Sequence, residues 1–68
     1  MITLIVNGAS REVAPHSTVA GLLASLGIDP RLVVVEHNRA ILRDRETYSM
    51  HALNDGDSVE IVHFVGGG

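Results

Sequence analysis

A single stretch of this sequence has helical periodicity, and it limits the folds that so short a chain can adopt. Its apolar residues recur at the spacing i, i+3, i+4 and i+7, which aligns them in one stripe along a helix: Val19, Leu22, Leu23 and Leu26. A chain of 68 residues buries only about 60% of its unfolded surface, so it needs well-patterned elements. The sequence therefore predicts one domain in which a single helix covers a sheet.

Both ends of this helix carry boundary signals. Ser17 or Thr18 is placed to cap the N-terminus. Gly27 stands where a left-handed C-terminal cap belongs, and Pro30 follows soon after, which prevents continuation.

The N-terminal segment has the pattern of a β-hairpin. Ile2, Leu4 and Val6 alternate on one face, and Asn7–Gly8 supplies the residues of a tight two-residue turn. The return strand, residues 10–14, is more polar, so we expect it at a sheet edge.

Three more strands are predicted after the helix. Residues 32–38 form a β-branched run that we expect to be buried on much of both faces. A turn at Asn38–Arg39 leads to a short strand over residues 40–42. The last strand, residues 58–65, follows a turn at Asp55–Gly56.

Residues 43–57 are less regular. Tyr48, Met50 and Leu53 are the apolar residues expected to attach this segment to the core. Asp55 and Asp57 resemble a carboxylate pair for Mg²⁺, but the turn chemistry of Asp-Gly explains them better. The histidines lack metal-ligand spacing, and no metal site is predicted.

The order strand, strand, helix, strand, short strand, strand is typical of an α+β fold of the β-grasp or ubiquitin-like kind. We expect a mixed sheet of four to five strands, with the first and last strands adjacent in its middle and the helix on one face. A ferredoxin-like half is the alternative, but it needs a second helical stripe. We assign residues 1–65 to the β-grasp domain and 66–68 to a flexible tail.

Composition excludes several functions. The chain has no cysteine, hence no disulfide, thiolate nucleophile or zinc–thiolate site. A net charge of −3 without a basic cluster disfavours nucleic-acid binding. No apolar run approaches the ~20 residues of a membrane span, and no signal peptide is visible, so we expect a cytoplasmic protein. No nucleophile–base set is present, which indicates a carrier and not an enzyme.

The last predicted strand has an unusual outward face. Alternation places Val59 and Ile61 towards the core, so Val62 and Phe64 point outward just before the glycines. Clustered exposed apolar residues indicate an interaction site. Our hypothesis is a docking patch that presents the tail to partner proteins. The alternative is that a neighbouring loop or the Arg-rich segment covers both residues.

The chain ends in three glycines, Gly66–Gly68. Glycines lack Cβ, so such an arm can enter a narrow active site, and three extended residues reach roughly 10 Å. A terminal carboxylate reacts only after activation, usually as an acyl-adenylate. A flexible terminus without function is the alternative.

These features together resemble the ThiS family of sulfur carriers in thiamin biosynthesis. The resemblance covers essentially the whole chain and rests on VNG at 6–8, TVAGLLASLGI at 18–28, VVVEHN at 33–38 and LNDGDSVEIVHFVGGG at 53–68. Gly67 and Gly68 match the family's terminal diglycine, and Gly66 is an additional glycine. Val62, Phe64, Val65 and Gly66 are the expected partner-binding residues.

The resemblance implies a chemistry for Gly68. Its carboxylate would be adenylated by a ThiF-like activating enzyme, which uses ATP and magnesium; no cofactor would be bound stably by the chain itself. Sulfur from a cysteine desulfurase would convert the adenylate to a thiocarboxylate. A ThiG-like thiazole synthase would accept that sulfur while it builds the thiazole from a deoxyxylulose phosphate and a glycine-derived imine.

Three alternatives remain. The MoaD-like small subunit of molybdopterin synthase has the same fold and thiocarboxylate chemistry, but tends to end in AGG after a proline-containing stretch, which is missing here. A ubiquitin-like protein modifier would use the same tail, and the absence of lysine rules out only lysine-linked self-chains. A plain β-grasp binding module would have inert glycines.

Overall fold

A computed structural model describes residues 1–64. Five strands and one α-helix are formed, in the order β1 Ile2–Val6, β2 Ala9–Val13, α1 Val19–Ser25, β3 Val33–His37, β4 Ala40–Ile41 and β5 Ser58–His63. Two 3₁₀ helices, Pro30–Leu32 and Arg45–Met50, lie in the connections. None of the helices in the described part is long and apolar enough to cross a membrane.

The strands form one mixed sheet in the order β2-β1-β5-β3-β4. The first and last strands, β1 and β5, run parallel in its middle, and the other neighbours are antiparallel. This confirms the predicted β-grasp arrangement and the position of β2 at a sheet edge.

The core lies between α1 and one face of the sheet. Leu22 and Leu23 of the helical stripe are almost completely buried, and Leu26 packs against the core from its rim. Alternate strand residues belong to the same cluster: Leu4, Val6, Val33, Val35, Val59 and Ile61. Val19 of the helix and Tyr48 and Leu53 of the later connection complete it. Each fully buried aliphatic side chain of this kind stabilises the fold by about 1.5–3 kcal/mol, so an aliphatic core is sufficient for a small domain.

The helix ends as its boundary signals predict. The Thr18 hydroxyl accepts a hydrogen bond from the N–H of Gly21 at 3.1 Å, which satisfies one of the free donors of the first turn. Gly27 has φ +70°, and the N–H of Ile28 donates to the carbonyl of Leu23 at 2.9 Å. This is the glycine-terminated cap in which the chain reverses past the last turn.

Strand boundaries differ from the prediction by one or two residues. The second strand begins at Ala9 and ends at Val13, and the fourth ends at Ile41 instead of residue 42. Leu32 belongs to a 3₁₀ helix and not to β3. The last strand ends at His63; the predicted continuation to Val65 lies outside the described residues.

Two burial predictions are wrong. Met50 does not attach residues 43–57 to the core, since it is 73% exposed; Tyr48 and Leu53 do so, and both are buried. The third strand is fully buried on one face only, because α1 covers that face while Val34 and Glu36 on the other are half-buried.

Candidate partner-binding site at the end of strand β5

The last strand carries apolar residues on both faces. Val59 and Ile61 are buried in the core, whereas Val62 is 55% and Phe64 53% exposed. The predicted exposure of this outward pair is confirmed. Val65 and Gly66–Gly68, the other predicted site residues, lie outside the described residues.

Phe64 is held in place although it follows the strand. Its N–H donates to the carbonyl of Leu32 at 2.9 Å, which extends the pairing of β5 by one bond. The guanidinium carbon of Arg45 lies 6.0 Å from the centroid of the Phe64 ring, a cation–π geometry worth about 0.5–1 kcal/mol at an exposed site. Arg45 is itself fixed, because its Nε–H donates to the carbonyl of Pro30 at 2.8 Å.

The position of Arg45 bears on the alternative that the Arg-rich segment covers Val62 and Phe64. An arginine from the Arg-rich segment does lie over Phe64, but half of the ring is still exposed. The contact fixes the aromatic face and does not hide it. Arg45 carried no sequence signal for this role, since only the fold brings residue 45 beside residue 64.

Asn7 anchors the middle of the same strand. Its Oδ1 accepts from the N–H of Ile61 at 2.6 Å, and its Nδ2–H donates to the carbonyl of Ile61 at 3.1 Å. The side-chain amide thus pairs with β5 as a strand backbone would, one residue beyond the end of β1. The Asn7–Gly8 turn is confirmed, with φ +49° and +83°, but the turn signal did not reveal this second role.

A polar cluster holds the beginning of β5. The Asp57 carboxylate accepts from His37 Nε2–H at 2.8 Å, from Asn38 Nδ2–H at 3.1 Å and from the N–H of Asn54 at 2.8 Å. Burial alone would raise the pKa of Asp57, but these hydrogen bonds, that of Asn54 first, outweigh it and keep the pKa below its usual value.

Asp55 and Asp57 are therefore turn and anchor residues, as the Asp-Gly interpretation predicted. Oδ1 of Asp55 accepts from the N–H of Thr3 at 2.7 Å, which joins the turn to β1. Within residues 1–64, no group of three histidine, aspartate or glutamate side chains has a geometry that could hold a metal ion. His37 serves as a hydrogen-bond donor within the fold.

The contacts around β5 have separate structural tasks. Asn7 and the Asp57 cluster fix β5 along its length, and Arg45 orients Phe64 at its end. The outward pair, Val62 and Phe64, is the exposed apolar surface at the end of the described chain. A mixed five-stranded sheet with β1 and β5 parallel in its middle and one α-helix on one face defines the class of ubiquitin-like β-grasp proteins.

The particular family follows from comparison. The ThiS family model matches residues 4–68, and this chain belongs to that family. A solved crystal structure of thiamine biosynthesis protein ThiS from Geobacter metallireducens superposes with a TM-score of 0.84 at 37% identity, covering 98% of this chain and all of that one. The resemblance found in the sequence is thereby confirmed.

Curated relatives fall into two kinds. Sulfur carrier protein ThiS of Bacillus subtilis is 47% identical over 51 residues, which cover 75% of this chain and 76% of that protein. Thiazole synthase of Paramagnetospirillum magneticum is 46% identical over 65 residues, which cover 96% of this chain but 20% of that protein. A thiazole synthase of Magnetococcus marinus matches similarly, at 42% identity. The chain spans about a fifth of the length of these two thiazole synthases.

Proposed function

We propose that this chain is a sulfur carrier of thiamin biosynthesis and that the sulfur is carried on the carboxyl carbon of Gly68. The observation that carries the proposal is the family match, which extends through residue 68 and so includes the terminal glycines. The likeness to the Bacillus subtilis carrier supports the same function.

The proposed chemistry takes place on the main chain. A ThiF-like enzyme, using ATP and Mg²⁺, joins a Gly68 carboxylate oxygen to the α-phosphorus of ATP, and pyrophosphate leaves. The terminal sulfur of a persulfide, originating from a cysteine desulfurase, then attacks the acyl carbon and AMP leaves. A second thiol of the partner reduces the resulting acyl disulfide, so that the thiocarboxylate is released and a disulfide forms between the partner's sulfurs. Gly67 and Gly68 suit this step because a backbone without side chains can enter a narrow site.

The folded part contributes recognition. Val62 and Phe64 form an apolar surface at the point where the described chain leaves the sheet. Docking of this surface would hold the partner's active site next to residues 65–68. Val65 and Gly66 are proposed to extend the contact into the partner's site.

Thiazole synthase is the proposed acceptor of the sulfur. Two relatives of that name contain a segment similar to nearly the whole of this chain. Joining two parts in one polypeptide raises their effective concentration for each other, which is useful when the parts act together. The association with a ThiF-like enzyme and a desulfurase rests on the family resemblance.

Intact mass after incubation with the activating enzyme, ATP, Mg²⁺ and a sulfur donor tests the carrier role. We expect the increase that corresponds to replacement of one oxygen by sulfur, and the same chain should then support thiazole formation by thiazole synthase. A variant lacking Gly67 and Gly68 no longer ends in a diglycine and should show neither, while its thermal unfolding matches that of the intact chain because the core is unchanged. Full thiazole formation by this variant contradicts the proposal.

A further inference from the structure

Two glutamates lie directly opposite each other on the outer face of the sheet. The register of β3 and β5 pairs Glu36 with Glu60 and, two residues along, Val34 with Val62. Val35 and Ile61, which lie between these pairs, are buried under α1. Since side chains alternate along a strand, both pairs face away from the helix.

This arrangement is unfavourable for the isolated fold. Directly opposed side chains have Cβ atoms about 4.5–5.5 Å apart, and like charges at that spacing destabilise a sheet. Neither carboxylate forms an ion pair within residues 1–64, where the ion pairs join Arg31 to Asp29 and His37 to Asp57. Stability of the free chain does not explain why the two glutamates stand together.

Apolar residues surround the glutamate pair. Ile41 of β4 is paired with Glu36 and is 50% exposed, and Val62 lies two residues beyond Glu60 towards the end of β5. Glu60, Val62 and Phe64 occupy alternate positions along the chain, so they lie on the same outer face. Arg43 and Arg45 line a concave surface together with Val34 and Ile41.

We propose that this outer face, composed of Val34, Glu36, Ile41, Glu60 and Val62, docks a partner protein that inserts an arginine or lysine between the two glutamates and contacts the flanking residues with apolar side chains. An arginine fits best, because its planar guanidinium can donate to two carboxylates at once. The partner is the thiazole synthase of the proposed function, on which this inference rests. The cation of the partner neutralises the repulsion between the two carboxylates. Relief of this repulsion, which destabilises the free chain, contributes to the free energy of binding.

Neutralising the two glutamates tests the inference through two measurements: the thermal stability of the chain should rise, and its affinity for thiazole synthase should fall. In the full chain, Glu36→Gln, Glu60→Gln and the double variant should each unfold at a higher temperature than wild type. The same variants should bind purified thiazole synthase more weakly, by about tenfold for the double variant at low salt. Their affinities should also depend less on salt concentration, because a charge contact has been removed.

Glu12→Gln is the matched control. It makes the same change of charge on β2, two strands away from β5, and should leave the affinity for thiazole synthase unchanged. An equal loss for this control would assign the effect to net charge and overturn the inference.

Glu60→Lys gives a second, sharper variant. A lysine opposite Glu36 forms a favourable cross-strand pair, so the fold should be stabilised while binding falls further than in Glu60→Gln. If both Glu60 variants bind thiazole synthase with wild-type affinity and salt dependence, the proposed docking surface is wrong, but the proposed carrier function is not affected. Absence of binding by the wild-type chain itself would contradict the proposed acceptor and the inference with it.

Discussion

The side-chain amide of Asn7 is the link between the first hairpin and the strand that leads to the tail. It adopts a left-handed conformation in the turn and makes two hydrogen bonds with the main chain of Ile61. Asparagine suits both tasks, because it tolerates positive φ and its amide offers a donor and an acceptor.

Asn7→Gly separates these two tasks. Glycine keeps the turn, since it adopts positive φ freely, but it removes both hydrogen bonds to partly buried main-chain groups. We expect a loss of about 1–3 kcal/mol in the free energy of unfolding, measured by urea denaturation. Asn7→Asp, which can accept but not donate, should also be destabilised. Wild-type stability in Asn7→Gly would show that the pairing with Ile61 adds nothing.

Asp57 makes the stability of the protein depend on pH. Its pKa is lowered in the folded chain from a value of about 3.9 when unfolded. The unfolded chain therefore takes up the proton first as pH falls. The stabilisation by Asp57 is complete above about pH 4 and is lost as the pH decreases through the folded-state pKa.

Asp57→Asn should thus be less stable than wild type by roughly 1–3 kcal/mol at pH 7, with a difference that narrows at acid pH. Urea denaturation between pH 7 and pH 3 measures this difference. Asp55→Asn is the control, because an amide oxygen can still accept from the N–H of Thr3 and should leave the pH profile nearly unchanged. If the difference in free energy of unfolding between wild type and Asp57→Asn stayed constant from pH 7 to pH 3, the Asp57 carboxylate would not be the cause of the pH dependence.

Strand β5 has a different role on each of its faces. One face supplies Val59 and Ile61 to the core, and the other presents Val62 to solvent. The contact with Arg45 and the hydrogen bond to Leu32 then hold Phe64, which directly follows the strand. The element is therefore both a structural centre and the beginning of the proposed docking surface.

Phe64→Ala should weaken partner binding and leave the core intact. We expect about a tenfold or greater loss of affinity for the activating enzyme or thiazole synthase, as for an aromatic residue in an interface centre, with thermal unfolding nearly unchanged. Arg45→Met should weaken binding less, because the Phe64 ring is still present. Some loss is expected, since the substitution removes the guanidinium over the ring and its hydrogen bond to the Pro30 carbonyl. Wild-type affinity in Phe64→Ala would exclude this residue from the interface.

For the molecule as a whole, the central position of the parallel β1–β5 pair brings the N-terminal hairpin beside the C-terminal strand. Asn7 and Ile61 are 54 residues apart in the chain yet share two hydrogen bonds. The strand that leads to residues 65–68 is therefore supported by neighbours on both sides, β1 and β3.

The β-grasp order was predictable because each element carries a local signal. The helix has its stripe and its Gly27 cap, the hairpin has Asn7–Gly8, and β5 has the Asp55–Gly56 turn before it. The error at Met50 has a related cause. In an irregular segment there is no period to say which apolar residue turns inward, so Tyr48 and Met50 could not be told apart.

The sequence by itself determined the helix, the strands, the turns and the outward direction of Val62, and its resemblance to the ThiS family indicated a function for Gly68. Only the tertiary structure decided which distant residues meet: Asn7 with Ile61, Arg45 with Phe64, Asp57 with His37, and Glu36 with Glu60. Local signals depend on the spacing of neighbouring residues and can be read along the chain. Strand register and loop placement depend on the packing of the whole core, which no short stretch of sequence contains.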